Sequence, residues 1–272
     1  MVLAKAQGFV AFGIVNSLIS VQTHTMREQT TSRRRYYDRT GGGYEVSRYA
    51  DRHMEDYRAF RNQTLAQILT DHGVPTNARV LEVGCGTGLT LEFLSSLPAG
   101  LRVFGMDLSE TMLKQAESKA KRLPNPPRVL LGDAGRLPYE SGLFDVTLAT
   151  RFIHQFTHDD KKRLWQEFQR VTRKGGITIV EFYARPYHWL RYNIGDGAKG
   201  RSYEGYFHHY PTRAQVRDVV GGSMRIYPLR IPGSRVVGRL IGESALGTVT
   251  RVLGPATGGV LMDEYFVVAR ND

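Results

Sequence analysis

The chain has 272 residues, of which 41% are hydrophobic and 23% charged, an ordinary globular balance. That length buries a sizeable core, and a single cysteine, Cys85, excludes an internal disulfide framework and a cysteine-rich zinc site while permitting a reducing compartment. A formal net charge of +11 implies attraction to an anion, without choosing between an acidic small molecule, a membrane surface and nucleic acid.

In chain order, Phe9 to Val21 is mostly apolar behind Lys5, too short to span a bilayer and interrupted by Asn16 and Ser17. A loose tail preceding a start at Met26, a membrane-surface helix and an export signal stay open, although no clear small-x-small cleavage site follows. A polar leader from Met26 carries Arg33-Arg34-Arg35, read as a solvated face or tail, and Gly41-Gly42-Gly43 then signals a loop between Tyr37 and Tyr44. Helical spacing predicts a helix from Arg48 to Leu69, ended by Gly73 before Pro75 and the first strand.

That strand, Val80-Leu81-Glu82-Val83, runs into Gly84-Cys85-Gly86-Thr87-Gly88, where glycine at alternate positions permits φ > 0 and close approach of backbone to a ligand. A dinucleotide fingerprint needs a sixth-position glycine, and counted from Gly84 that position is Leu89. A second strand, Val103-Phe104-Gly105-Met106, ends in Asp107, where a carboxylate can accept both hydroxyls of a ribose. A third, Val129 to Leu131, ends in Gly132-Asp133-Ala134, and a fourth runs from Phe144 to Thr150. Leu164, Phe168 and Val171 mark a helix from Asp159 to Lys174, stopped by Gly175-Gly176 before a fifth strand, Ile177 to Phe182.

Tyr183 to Tyr210 is dense in aromatic and basic residues and is read as a lid over an acceptor, with its glycines supplying mobility. His208 and His209 are adjacent and have no acidic cluster with them, so no metal site is expected. A helix through Val220, a strand over Arg225 to Leu229, an amphipathic helix within Ser234 to Leu253 and a last strand, Tyr265 to Ala269, complete the chain.

The acidic residue before G-x-G-x-G, followed in order by Asp107, Asp133 and the fourth strand, resembles class I S-adenosylmethionine-dependent methyltransferases of the small-molecule type. The resemblance implies a Rossmann-like, mostly parallel seven-stranded α/β sheet, helices on both faces, an antiparallel last strand, N-terminal helices and a substrate lid. It implies that S-adenosylmethionine is bound and S-adenosylhomocysteine released. Glu82, Gly84, Cys85, Gly86, Gly88, Asp107 and Leu108 are its expected ligands, together with Asp133, Ala134, Thr150 and the covering Tyr37 and Tyr44. The segment Phe152-Ile153-His154-Gln155-Phe156 is similar to the family's fourth strand-helix junction, which makes His154 the candidate base, against a plain backbone-bonding role. Expected acceptor contacts are Arg151, Tyr183, Tyr187, Trp189, Tyr206 and His208.

The domain layout read from these signals is a tail and cofactor-covering segment over 1–45, then a methyltransferase domain over 46–272 with a lid at 183–212 and an inserted helix at 233–254. The expected reaction is transfer of a methyl group to an O, N or C atom of a small apolar or aromatic, anion-bearing acceptor, as in secondary or lipid-quinone metabolism. Nucleic acid is not favoured as partner, because the Asn/Asp-Pro-Pro-aromatic pattern typical of base-amine methylation is replaced by Thr150-Arg151-Phe152-Ile153. An RNA acceptor and a catalytically silent partner subunit are the alternatives. The expected location is cytoplasmic, with contact to a membrane surface left open, and the oligomeric state is not readable.

Overall fold

A computed structural model describes residues 26–45, 52–183, 209–230, 245, 248–250, 252 and 264–272. Most of the expected lid, with Tyr187, Trp189, Tyr206 and His208, lies outside the described residues, as do 1–25 and most of 233–254. Within that last segment the described residues are helical, and Val252, expected on its apolar side, is exposed.

The described strands form one sheet: β1 (Arg79–Val83), β2 (Arg102–Asp107), β3 (Arg128–Leu131), β4 (Phe144–Ala149), β5 (Thr172–Tyr183), β6 (Arg225–Arg230) and β7 (Glu264–Arg270). Their spatial order is β3-β2-β1-β4-β5-β7-β6, with β7 antiparallel to both neighbours and the other pairings parallel, as the sequence predicts. Strand order reverses between β1 and β4, so the sheet carries a topological switch point there and a crevice beyond the carboxyl ends of those strands.

Both faces are covered. Val80, Val103, Val146, Ile177 and Phe266 pack under α2 (Arg52–Asp71) and α3 (Leu89–Ser95), through Leu65, Ile68, Leu91 and Leu94. On the other face Leu81, Val83, Phe144, Val180 and Val267 meet Leu164, Phe168 and Val171 of α5 (His158–Val171) and Val216 of α6 (Arg213–Val220). Each of these fully buried side chains contributes about 1.5–3 kcal/mol. A further helix, α4 (Glu110–Ala120), connects β2 to β3. Two caps set helix starts: Thr157 accepts from the Asp160 N–H, and Thr212 with Gln215 forms a reciprocal capping box.

Two expectations are corrected. The first concerns the basic run of the polar leader, which lies on one of the N-terminal helices that the resemblance implies: Met26–Thr40 is a helix, α1, followed by a 3-10 turn at Gly41–Gly43. It is held from outside its own sequence, because Ser109 Oγ donates to Asp38 Oδ1 at 2.7 Å and Lys119 pairs with Glu45. Arg33 is buried, with its guanidinium 4.0 Å from the Phe156 ring centroid, so the basic run is not simply a solvated face.

The second correction concerns α5, which ends at Val171 and not near Lys174. Thr172 turns extended and its hydroxyl donates to Phe168 O at 2.6 Å, closing the last helical turn. Register then jumps from the pair Phe144↔Thr172 to Val146↔Ile177, so Arg173 to Gly176 loop out of the ladder. Gly175 there has φ +71, which is the left-handed backbone that the glycine pair signalled.

Candidate active site

The glycine turn between β1 and α3 is anchored by backbone: the N–H groups of Gly84 and Cys85 both donate to Met106 O, at 2.7 and 3.0 Å. Its three glycines are required for three different reasons. Gly84 has φ +73, and a Cβ there would lie 2.2 Å from the Phe152 ring. Gly88 has φ +82, and a Cβ would lie 2.9 Å from that of Ala116, so this glycine serves the close approach of α4. It does not line the adjoining cleft, unlike Gly84, Cys85 and Gly86. Gly86, at φ +54, has no atom within 4 Å of a would-be Cβ, which leaves its backbone open to a ligand. Cys85 directs its sulfur toward the core near Gly105, and burial holds its thiol well above the usual range, so it is a small filler and not a nucleophile.

A cleft partly open to solvent lies beyond the carboxyl ends of these strands, bordered by Glu82, Gly84, Gly86 and Asp107. Tyr37, Tyr44, Leu108, Asp133, Ala134, Thr150 and Arg151 all border it. Tyr37 and Tyr44 meet edge to face at 6.0 Å, on the segment that begins with α1. Arg151 takes φ +50 and donates its N–H to Glu181 Oε2 at 3.1 Å. Asp107 closes β2 with its carboxylate fixed by backbone donors: Gly86 N–H to Oδ2 at 2.8 Å and Ser109 N–H to Oδ1 at 2.9 Å. Burial still raises its pKa against those bonds.

Glu82 is 1% exposed and accepts from Thr150 Oγ1 at 2.7 Å through Oε1, while its other oxygen has no hydrogen-bond partner among the described residues. Burial pushes its carboxyl up to about 7, opposed by the Thr150 bond and the Arg61 charge. An acceptor oxygen of this kind, buried and unsatisfied on the wall of a cleft, is the mark of a place that awaits a donor.

Sequence reasoning missed several residues of the cleft, among them Arg33, Arg61, Thr90, Gln155 and Phe156. Arg61, 3% exposed, donates to Thr90 Oγ1 at 3.3 Å and lies 3.9 Å from Glu181 Oε2. A basic residue amid the apolar stripe of a helix was the available signal. His154 sits in a 3-10 turn (Ile153–Gln155) and does not line the cleft; its ring meets that of Tyr183 edge-on at 4.8 Å. Tyr183 ends β5 and packs on Tyr210 as well, at 6.3 Å. Behind it, Tyr57 bonds both Glu181, at 3.3 Å, and Glu264, while Arg230 stacks over the Tyr57 ring at 3.9 Å. No group of three or more metal-ligating side chains occurs among the described residues.

Residues 81–180 match the family described as a methyltransferase domain. The chain is 34% identical over 133 residues to the demethylmenaquinone methyltransferase of Lactiplantibacillus plantarum, covering 48% of this chain and 54% of that protein. It is 37% identical over 128 residues to the phosphatidylethanolamine N-methyltransferase of Cereibacter sphaeroides, covering 46% and 58%. The chain thus spans little more than half the length of these curated relatives. In structure it resembles the magnesium protoporphyrin IX methyltransferase of Synechocystis with bound SAH, at TM-score 0.62 and 18% identity over 89% of this chain and 99% of that one. At that identity the likeness shows the fold.

Proposed function

We propose that this chain, which carries a class I S-adenosylmethionine-dependent methyltransferase domain, transfers a methyl group to a small, apolar or aromatic acceptor bearing an anionic group. The observation that carries the reading is Glu82: a buried carboxyl with one unsatisfied oxygen, on the wall of a cleft that also holds the buried guanidinium of Arg61. Together these two groups match the ammonium and carboxylate of an amino-acid end. Asp107, oriented by two backbone N–H groups, has lone pairs left for ribose hydroxyls, and the backbone at Gly86 permits close approach. Asp133 and Ala134 would flank the adenine, and Tyr37 and Tyr44 would cover the cleft.

When bound, S-adenosylmethionine supplies an electrophilic methyl on a positively charged sulfur, so that in-line alignment of the acceptor supplies most of the acceleration. The chain's own contribution is to fix that alignment and to shut out water. Phe152, Gln155 and Phe156 border the cleft on the side facing β4 and α5, where aromatic faces suit an apolar acceptor and Arg151 an anionic group on it. His154 packs on Tyr183 outside the cleft lining, so it is the proposed base only for a hydroxyl or carboxyl-bearing acceptor that extends beyond the cleft to its turn. The named substrates of two matched relatives, a quinone precursor and a phospholipid, support an apolar acceptor.

Incubating the chain with methyl-labelled S-adenosylmethionine and cell extract, then resolving products by mass spectrometry, tests the proposal. Label in a small apolar product is the expected result. Label confined to RNA, or no labelled product, overturns it.

A further inference from the structure

Three consecutive carbonyl oxygens beside the cleft are each claimed by a different donor, two from far along the chain and one from the helix that follows the turn. His154 O accepts from the His209 N–H at 2.8 Å, Gln155 O accepts from Arg33 Nη1 at 3.4 Å, and Phe156 O accepts from Lys161 Nζ. The opposite side of this turn borders the cleft through Phe152, Gln155 and Phe156, and the Phe152 ring lies against Gly84. Position of the turn therefore depends on what pulls on its carbonyls.

Lys161 is the unusual member. It is 0% exposed, on the face of α5 otherwise filled by Leu164, Trp165 and Phe168. Its ammonium has three hydrogens, and three acceptors meet it: Phe156 O, His209 O at 3.1 Å and His209 Nδ1 at 3.2 Å. Among the described residues none of these is a carboxylate. Burial lowers its pKa to about 7, with neighbouring Asp160 acting in the opposite direction. An apolar residue of similar volume would fill the same space in the core and spare the desolvation of a buried charge, but it would leave three acceptors without their donor. What an apolar residue cannot do is hold Phe156 O and both acceptor atoms of His209 at one point.

We propose that Lys161 is a positioning residue, whose ammonium ties His209 to the Ile153–Phe156 turn and so fixes the acceptor side of the cleft against the glycine turn. The proposal rests on the methyltransferase reading for its effect on turnover, and on the geometry alone for its effect on the turn. His154, the proposed base, is carried on the same turn, with its own carbonyl bound to His209. Lys161 acts on the reaction through these residues and touches no substrate.

The test compares the full chain with its Lys161→Met variant by hydrogen exchange, S-adenosylmethionine titration and turnover. Amide exchange at His209, whose N–H is bonded to His154 O, should speed up about ten-fold or more, while Cys85, bonded to Met106 O, stays within about two-fold. Cofactor affinity should stay within about three-fold and kcat should fall about ten-fold or more, a split that loss of fold does not produce. In a Lys161→Ala variant, n-propylammonium should restore both exchange protection and kcat, because it returns an ammonium to the vacated space. Unchanged exchange at His209 in Lys161→Met, or failure of the alkylammonium to restore protection, overturns the proposal. If the wild-type chain binds no S-adenosylmethionine, the methyltransferase reading fails separately, and the exchange comparison still decides what Lys161 does.

Discussion

The half of the sheet built from β1, β2 and β4 and the half built from β5, β6 and β7 hold their polar groups in different ways. In the first, the anchoring is made of backbone: Asp107 is oriented by the N–H groups of Gly86 and Ser109, and the turn hangs from Met106 O. In the second it is made of long side chains. Tyr57 reaches Glu181 across 124 residues of chain and Glu264 across 207, Arg230 covers the Tyr57 ring, and Lys161 meets His209. Backbone anchoring at the proposed cofactor cleft depends on a few glycines close together in sequence, whereas the side-chain network joins residues far apart in the chain. Two ways of holding polar groups are thus separated across one sheet, backbone anchoring beside the glycine turn and side-chain networks beyond β5.

The largest effect that would break this comparison lies in the second half. Replacing Arg230 by Ala removes the cation 3.5 Å from Glu264 and over Tyr57, and should cost about 3–5 kcal/mol of stability while cofactor affinity stays within about three-fold. Urea unfolding and calorimetry on the same preparation check it; a joint loss of both would mean that the halves are coupled. Next is Gly84→Ala, which adds a Cβ 2.2 Å from the Phe152 ring at φ +73 and should cost roughly 2–4 kcal/mol. Gly86→Ala, with open space at its Cβ, should lose only the backbone strain of about 1–2 kcal/mol, so the difference in thermal midpoint between the two variants reads the Phe152 contact.

Asp107→Ala should weaken S-adenosylmethionine binding by about 100-fold, roughly 2–3 kcal/mol, by removing a carboxylate and freeing two backbone donors. The smallest effect concerns protons. Glu82 is raised to about 7 in the folded chain from 4.5, so the folded state holds more protons than the unfolded between those values. Stability contributed by Glu82 is therefore present below about 4.5, declines as pH rises to about 7 and is flat above, and Glu82→Gln should remove that slope from a series of urea midpoints. An ammonium placed beside the free oxygen of Glu82 would lower its pKa again. Binding near pH 6.5 should then release a fraction of a proton, measured by calorimetry in buffers of different ionisation enthalpy.

The same division explains what was legible in the sequence. Strands β1 to β4, the glycine turn and the carboxylates Asp107 and Asp133 follow one another within a short stretch, and local signals such as glycine spacing and strand ends report local structure. Gly88 was legible as a glycine but not in its role, because only the packing of Ala116 shows why it has no side chain. The helical state of α1 was legible only through the resemblance, since its polar sequence gives no apolar face, and what holds it was hidden, because Ser109 and Lys119 lie some seventy residues away. Arg61 and Lys161 stand at helix positions spaced with apolar neighbours, a signal that they are buried, but their partners Glu181 and His209 are announced by no spacing in the helix. The early end of α5 turned on a bulge between β4 and β5, a pairing event and not a property of the Gly175-Gly176 stop.

Titrating S-adenosylmethionine into the full chain by calorimetry, with Asp107→Ala alongside, tests the central claim most directly. The account predicts one site of about micromolar affinity, abolished or weakened by about 100-fold in the variant. No binding to the wild-type chain, or equal binding to both, would contradict it.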